Sequence, residues 1–492
     1  MAESKGKAMR TLRGLGFLFV AAAVLSPAVV GKVYVRWTQS GVPAANVLGV
    51  NELVIPWSED AQGLVAAAKK QGYRVYLEAT LEQSAAVAEA GANSGAAGVV
   101  LKGSAAAESQ LEESAGKLRA KYPKLRILVV SAGGKQPEMR GWLVFQKNGM
   151  LQVSSPTSQP WLDANLAMVR HERAFQTGQA PLYTFSWDVS DPLVKENGPN
   201  PADYSLAIAE AGAFHADLIL ELHERQQKGL ANGDKTALAD WEPVKRTIAF
   251  YEREKQGERE AAAVGVLTNE YELSYEALNL MARHNIPFRV LHSDDVKAAD
   301  LAGFDVVIAF AALSKDLTEA IRAFAERGGV AVLVNLPGTY PWDSGSGEKK
   351  SAHSMTFAVG KGRVIELGEA VTDPETFAQD IRRLMVKQHV PVSLWNSLTT
   401  LVVEYPGQNK GETIVELVNY DQEATQVQVQ VKGTFAAAKY ESPERGCCEK
   451  LKTTQVDGFT EFVVPDVVIG GRVHLEAGAI NPKNETKTRS GK

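Results

Sequence analysis

The sequence predicts an α/β protein: a (β/α)8 TIM barrel, a second and doubly wound α/β domain, and a C-terminal β-sandwich. Three observations support this prediction. Short apolar runs alternate with Ala-rich helical stretches over residues 32–229, which indicates parallel βαβ units. A shorter strand–helix series follows over 261–385, and from residue 391 only strands with period-two alternation remain. A chain of 492 residues is too long for one core, so several domains are expected.

Residues 1–31 have the pattern of a secretory signal peptide. Four basic residues come first, the apolar run LGFLFVAAAVL (15–25) follows, and small residues close the segment. This run is shorter than the about 20 residues that span a bilayer comfortably. We therefore expect the body of the protein to lie outside the cytoplasm, periplasmic or secreted. If the segment is not cleaved, it would instead tether the chain to the membrane.

Charge and cysteine content exclude several classes of function. The formal net charge is −5, and no Lys/Arg run follows the N-terminus, which argues against nucleic acid as a partner. The two cysteines, Cys447 and Cys448, are adjacent and cannot join distant segments. Because no Cys/His cluster has zinc spacing, we expect no metal, and no cofactor is expected either.

Eight runs are predicted as the barrel strands, in an order and number that fit a compact TIM barrel. The sixth of them could equally form a hairpin with Asn148 and Gly149 at its turn. The runs are KVYVRW (32–37), ELVIPW (52–57), RVYLEAT (74–80), GVVLKG (98–103), RILVVSAG (126–133), part of WLVFQKNGMLQVSS (142–155), PLYTFSWD (181–188) and ADLILELHE (216–224).

The rest of the chain divides by pattern. A helical linker is predicted for 230–260, and the α/β domain for 261–385 has no GxGxxG after its first strand, so no dinucleotide site is expected. Strands such as TQVQVQVKG predict the sandwich over 391–478. The polar tail, 479–492, is predicted to be disordered.

Alternation along the strands predicts which side chains enter the barrel. In the last strand Leu218, Leu220 and Leu222 share the side that faces the helices, so Glu221 and His223 point inward. The same argument directs Arg36, Glu78 and Lys102 into the lumen. Buried charges are costly unless they are paired. The lumen is therefore either an internal salt-bridge network, for example Glu78 with Lys102 or Arg36, or a polar site with matched acids and bases.

Aromatic residues gather at the same strand ends. Trp37, Trp57, Trp161 and Trp187 follow four different strands. Their rings could stack on the C–H faces of sugars, or they could cap the barrel core. Acidic residues at the strand ends add Asp163 and Asp188 to the two glutamates already named.

Several segments resemble glycoside hydrolases. SSPTSQPWLDANLAMVR, LYTFSWDVSD and DYSLAIAEAGAFHADLILELHE resemble the second half of the barrels in dextranase-like and beta-galactosidase-like enzymes. AVGVLTNEYELSYEALNLMARHNIPFRVL resembles the amidotransferase-like middle domain of those beta-galactosidases, and the domain order also agrees. The resemblance covers about 30–478. The middle domain lacks the amidotransferase nucleophilic Cys, so it is expected to serve packing or oligomerisation.

The resemblance implies two carboxylates, a nucleophile and an acid/base, at the strand ends. The beta-galactosidase relatives have Asn-Glu after strand four, whereas this chain has Lys102-Gly103. Asp188 and Glu221 are the preferred catalytic candidates, with Glu78 third. The predicted substrate-binding residues are Arg36, Trp37, Trp57, Lys102, Trp161, Asp163, Trp187 and His223.

Two functions are consistent with these features. One is an exported glycoside hydrolase that acts on a poly- or oligosaccharide. The other is a catalytically inactive barrel that binds carbohydrate or serves as a scaffold in an envelope assembly. The charged lumen and the tryptophans favour the first, and the missing glutamate after strand four favours the second.

Overall fold

The structure is a computed structural model. It describes residues 31–103, 108–130, 145–147, 150–152, 165–175, 179–185, 187, 196, 198–252, 259–345, 347–351, 353–407, 409–421 and 423–477. The predicted signal peptide, except for its last residue, and the candidate residues Trp161, Asp163 and Asp188 lie outside this part of the chain. Within it, no helix is both long and apolar enough to cross a membrane.

The first part of the chain alternates strands and helices. Its strands are β1 (Val33–Arg36), β2 (Glu52–Pro56), β3 (Arg74–Ala79), β4 (Gly98–Leu101), β5 (Arg126–Val129), β6 (Phe145–Lys147), β7 (Met150–Gln152), β8 (Leu182–Phe185) and β9 (Asp217–Glu221). Its helices are α1 (Ala45–Leu48), α2 (Ala61–Lys70), α3 (Ser84–Ser94), α4 (Glu108–Lys121), α5 (Leu166–Phe175), α6 (Pro201–Ala213), α7 (Glu224–Asn232) and α8 (Lys235–Tyr251).

Seven of these strands form one parallel sheet in the order β5-β4-β3-β2-β1-β9-β8. The pairing of β9 with β1 brings the end of this region back to its beginning, as the curling of a TIM barrel requires. Between β5 and β8, the described residues contain no barrel strand. They contain instead the antiparallel hairpin β6–β7, so the hairpin alternative holds for the sixth predicted strand. Asn-Gly between two short apolar runs favours such a turn.

Side-chain alternation divides this sheet into two cores, as predicted. Val33, Val35 and Leu77 belong to the large core between the sheet and its helices. A smaller core fills the lumen, with Tyr34 and Tyr76 packed edge to face at 5.2 Å between ring centroids. Charged residues lie above and below this apolar plug, at the two ends of the strands.

The second part of the chain is a doubly wound α/β sheet. Its strands are β10 (Val264–Thr268), β11 (Phe288–His292), β12 (Val306–Ala309), β13 (Val330–Val334), β14 (Glu348–Ser351), β15 (Ser354–Val359) and β16 (Gly362–Leu367), and its helices are α9 (Tyr275–Arg283), α10 (Lys315–Glu326) and α11 (Pro374–Leu384). The order is β11-β10-β12-β13-β16-β15-β14, and all of these strands run in the same direction except β15, which pairs antiparallel with both of its neighbours. Helix α10 packs on one face of the sheet, and α9 and α11 pack on the other.

The last part is an antiparallel β-sandwich, as predicted. Its strands are β17 (Val392–Trp395), β18 (Thr400–Pro406), β19 (Glu412–Asn419), β20 (Thr425–Lys432), β21 (Phe435–Ser442), β22 (Gly446–Leu451), β23 (Thr454–Val456), β24 (Phe459–Val467) and β25 (Gly470–Ala477). One sheet has the order β17-β20-β24-β23 and the other β18-β19-β25-β21-β22. Val415, Val429 and Phe462 belong to the core that the two sheets share.

Helix α6 joins the barrel to the sandwich. It begins at a capping box in which the side chains of Asn200 and Asp203 bond each other's backbone N–H groups. Its completely buried Glu210 accepts hydrogen bonds from Tyr183 of the barrel at 3.0 Å and from Tyr420 of the sandwich. The backbone and side-chain amides of Asn165 also donate to Glu210. A buried carboxylate with this many donors fixes the two regions against each other.

Candidate functional site

The candidate site is the upper end of the barrel, where the parallel strands end. We call it the barrel mouth and define it by Arg36 of β1, Glu78 of β3, Lys102 directly after β4, and Glu221 of β9. These side chains lie just above the apolar plug of the lumen because they continue the inward-facing positions of Tyr34, Tyr76, Val100 and Ile219. Active sites of TIM barrels form at this end.

The four charged side chains of the barrel mouth are connected. The guanidinium of Arg36 donates two hydrogen bonds to Glu78, at 2.9 and 3.0 Å. The ammonium of Lys102 donates to Glu221 at 2.9 Å. Arg36 Nε also lies 3.8 Å from Glu221 Oε1, which links the two pairs. The salt-bridge network predicted as one alternative is therefore present, with Glu78 paired to Arg36.

The same contacts limit how far apart the two glutamates can be. Nε of Arg36 lies 2.9 Å from Glu78 Oε2 and 3.8 Å from Glu221 Oε1. These two carboxylate oxygens are therefore at most about 6.7 Å apart, an upper bound that is compatible with the carboxyl separation of about 5–5.5 Å that retaining glycosidases use. The sequence ranked Glu78 third among the catalytic candidates, but the structure places it beside Glu221.

The barrel mouth remains open to solvent. Side-chain exposure is 14% for Glu78, 25% for Glu221 and 32% for Lys102. Burial would lower the pKa of Arg36, but its hydrogen bond and charge attraction to Glu78, with Glu221 contributing, raise that pKa above its ordinary value. Two cations thus balance two carboxylates at a partly exposed end of the barrel. Such an arrangement can bind hydroxyl groups and stabilise a positive charge that develops on a substrate.

The predicted tryptophans do not all line the barrel mouth. Trp37 is completely buried in the helix-facing core, and its indole N–H donates to the backbone oxygens of Gln39 and Gly41, so it cannot stack on a sugar. Trp37 lies an even number of residues from Val33 and Val35, so its side chain points to the same, helix-facing side of the sheet. The prediction that Trp37 binds substrate was wrong for this reason. Trp57 and Trp187 are partly buried and pack against the same core.

His223 has a local structural contact. It lies two residues beyond the end of β9 and precedes α7 as its N-cap residue, where its ring accepts the N–H of Arg225 at 3.4 Å. The backbone N–H of His223 donates a hydrogen bond to the hydroxyl of Tyr204 at 2.9 Å. The alternation argument ends where the strand ends, so it does not determine the direction of this side chain.

A second charged cluster lies at the opposite end of the barrel. The buried carboxylate of Asp217 accepts the N–H of Lys32 at 2.8 Å and lies 3.7 Å from Arg126. Burial raises the pKa of Asp217 to about 6, against the lowering effects of that hydrogen bond and of Arg126. Residues at this end of a TIM barrel belong to the framework rather than to the active site.

Comparison with solved structures relates this fold to glycoside hydrolases. Alpha-L-fucosidase isoenzyme 2 from Paenibacillus thiaminolyticus aligns with a TM-score of 0.56 at 11% identity, covering 91% of this chain and 100% of that one. A GH42 beta-galactosidase from G. stearothermophilus aligns with a TM-score of 0.56 at 9% identity, covering 91% and 98%. The beta-galactosidase from Bacillus circulans sp. alkalophilus aligns with a TM-score of 0.54 at 10% identity, covering 92% of this chain and 99% of that one.

No family model matches the chain, and no curated protein matches it. At these identities the structural similarity shows the fold alone. The chain therefore has a glycoside hydrolase-like fold: a parallel sheet curled like a TIM barrel, with antiparallel sheets at the C-terminus.

Proposed function

We propose that the protein is a glycoside hydrolase that acts on an oligo- or polysaccharide at the barrel mouth. The observation that carries this proposal is the contact of Glu78 and Glu221 with the same guanidinium, that of Arg36, which brings the two carboxylates close enough to be compatible with the separation that retaining glycosidases use. The glycoside hydrolase-like fold and the location of this pair at the ends of β3 and β9 support the proposal.

Each side chain of the barrel mouth has a role in this proposal. Glu221 provides the carboxylate that attacks the anomeric carbon or activates water. Hydrolysis also needs a carboxyl group that gives a proton to the leaving oxygen. Glu78 is close enough for this role, and Asp188, which follows β8 by three positions in the sequence and lies outside the described residues, is the alternative donor. Arg36 and Lys102 position the carboxylates and bind sugar hydroxyl groups.

A second function is favoured by one specific observation. Both glutamates of the barrel mouth accept hydrogen bonds from cations, and Lys102 stands where the beta-galactosidase relatives are expected to have their acid/base glutamate. The cations therefore already occupy hydrogen-bonding positions of both carboxylates that a substrate would need. The alternative is a barrel that binds carbohydrate without cleaving it.

One experiment separates these two functions. The purified protein is screened against aryl glycosides and polysaccharides for release of aglycone or reducing ends, and the same sugars are titrated by calorimetry. Hydrolysis that is lost in Glu221→Gln supports the proposal. Sugar binding with no turnover on any substrate supports the second function. If the protein neither binds nor cleaves any of these sugars, both functions are contradicted.

The remaining predictions of the sequence stand as proposals. Export is supported by the basic and then apolar N-terminus. The domain limits, the amidotransferase-like character of the middle sheet and self-association through that sheet rest on the resemblance to beta-galactosidases. Recovery from the cytoplasm of an intact, soluble chain that still begins at Met1 would contradict export.

A further inference from the structure

The outer face of the four-stranded sheet of the sandwich has an unusual set of side chains. In β17, Val392 and Leu394 face the sandwich core, so Ser393 and Trp395 face outward. In β20 the inward valines alternate with three outward glutamines, Gln426, Gln428 and Gln430. This is the TQVQVQVK pattern of the sequence, which the barrel site does not use.

The strand register aligns these side chains in two rows across the sheet. Trp395 lies opposite Gln428, and Gln428 lies opposite Val463, which gives the first row. The second row contains Ser393, Gln430, Glu461 and Thr454. Neighbouring strands are about 4.8 Å apart, so the first row extends over about 10 Å. That length accommodates one to two pyranose rings.

Trp395 is held in place although it is exposed. Its indole side chain is 47% exposed, and Val463 at the other end of the row is 45% exposed. The next residue, Asn396, accepts the N–H of Gln428 and donates to the backbone oxygen of Gln426, which fixes the end of β17 to β20. An exposed tryptophan on a fixed strand end has only two side-chain torsions to order when a ligand stacks on its ring.

The charge of this face indicates the class of ligand. The first row consists of the indole of Trp395, the amide of Gln428 and the aliphatic side chain of Val463, and none of these carries a charge, whereas the charged Glu461 and Lys432 lie outside this row. Amides both donate and accept, which matches hydroxyl groups, and an aromatic ring matches the C–H face of a sugar. A row without charge offers little attraction to an acidic or basic partner.

We propose that the outer face of this sheet is a second carbohydrate-binding surface, separate from the barrel mouth, that binds a neutral saccharide chain along the row of Trp395, Gln428 and Val463. It shares its ligand class with the proposed function but does not depend on hydrolysis. Its effect would be to hold a polymer near the barrel.

The test is retention by neutral polysaccharides. Wild type, Trp395→Ala and Gln428→Ala are run on affinity gels containing dextran or galactan and mixed with insoluble cellulose, with polygalacturonate as an acidic comparator. Leu273→Ala, which removes an exposed apolar side chain of the middle domain, is the matched control. We expect wild type and Leu273→Ala to bind at least one neutral polymer, and Trp395→Ala to bind it at least about tenfold more weakly.

The outcomes that overturn this proposal are distinct from failure of the barrel site. Equal retention of wild type and Trp395→Ala, or no retention of wild type by these neutral polymers, contradicts it. A wild-type dimer that Trp395→Ala converts to a monomer also contradicts it, because a second copy would then cover the face. Glu221→Gln should abolish turnover and leave retention unchanged, so the two sites are tested independently.

Discussion

The carboxyl group of Asp217 allows a prediction whose magnitude follows from the structure. It is buried at the base of the barrel, and its pKa is raised to about 6 from 3.8. The folded protein therefore binds this proton more tightly than the unfolded chain does. The wild type should lose stability as the pH rises from about 4 to about 6, by about 3 kcal/mol for this group.

The variant Asp217→Asn removes this titration but keeps an oxygen that accepts the N–H of Lys32. It should match the wild type near pH 4 and exceed its free energy of unfolding by about 3 kcal/mol at pH 8. Urea unfolding followed by circular dichroism at both pH values measures the difference, with the exposed Asp60→Asn as the control. The reasoning is refuted if Asp217→Asn has the same effect at both pH values or is the less stable protein at pH 8.

Two further predictions concern buried polar groups at the contact between barrel and sandwich. Tyr420→Phe removes a donor from the completely buried Glu210 and should lower the free energy of unfolding by about 1–3 kcal/mol, measured by urea denaturation. Arg472→Ala leaves Glu416 as an uncompensated buried charge and should cost about 3–5 kcal/mol, whereas Arg322→Ala, which breaks exposed ion pairs, should cost at most about 1 kcal/mol. Equal losses for the two arginine variants would contradict this account.

Local pattern was sufficient to predict much of this fold. Alternation correctly placed Leu218, Leu220 and Leu222 against the helices and Ile219 in the lumen, because a strand paired on both sides has no freedom to rotate. The sequence did not decide the structure of the sixth predicted strand. Short apolar runs on either side of Asn-Gly are compatible with one barrel strand and also with a hairpin.

The site was harder to predict because it depends on contacts between distant strands. Alternation along the strands predicted the four charged residues of the barrel mouth but not how they pair. Arg36 pairs with Glu78, and Lys102 pairs with Glu221, across 42 and 119 positions of the chain, and no local pattern contains such contacts. The predicted substrate-binding role of Trp37 was wrong because the position of a tryptophan at a strand end does not show which side of the sheet its ring faces. Side-chain alternation places this ring on the helix-facing side. Trp395 was missed, although its alternation with Leu394 was visible.

The most direct test of the central claim is the rate of glycoside hydrolysis by Glu221→Gln. This variant keeps the shape of the side chain and removes its charge, and Glu224→Gln, at an exposed position three residues further on, is the matched control. On a substrate that the wild type cleaves, we expect Glu221→Gln to lose at least about 100-fold in kcat, with Glu224→Gln unchanged. An unchanged rate accompanied by marked destabilisation would show that Glu221 serves only as half of an ion pair with Lys102, and would contradict the assignment of the barrel mouth as an active site.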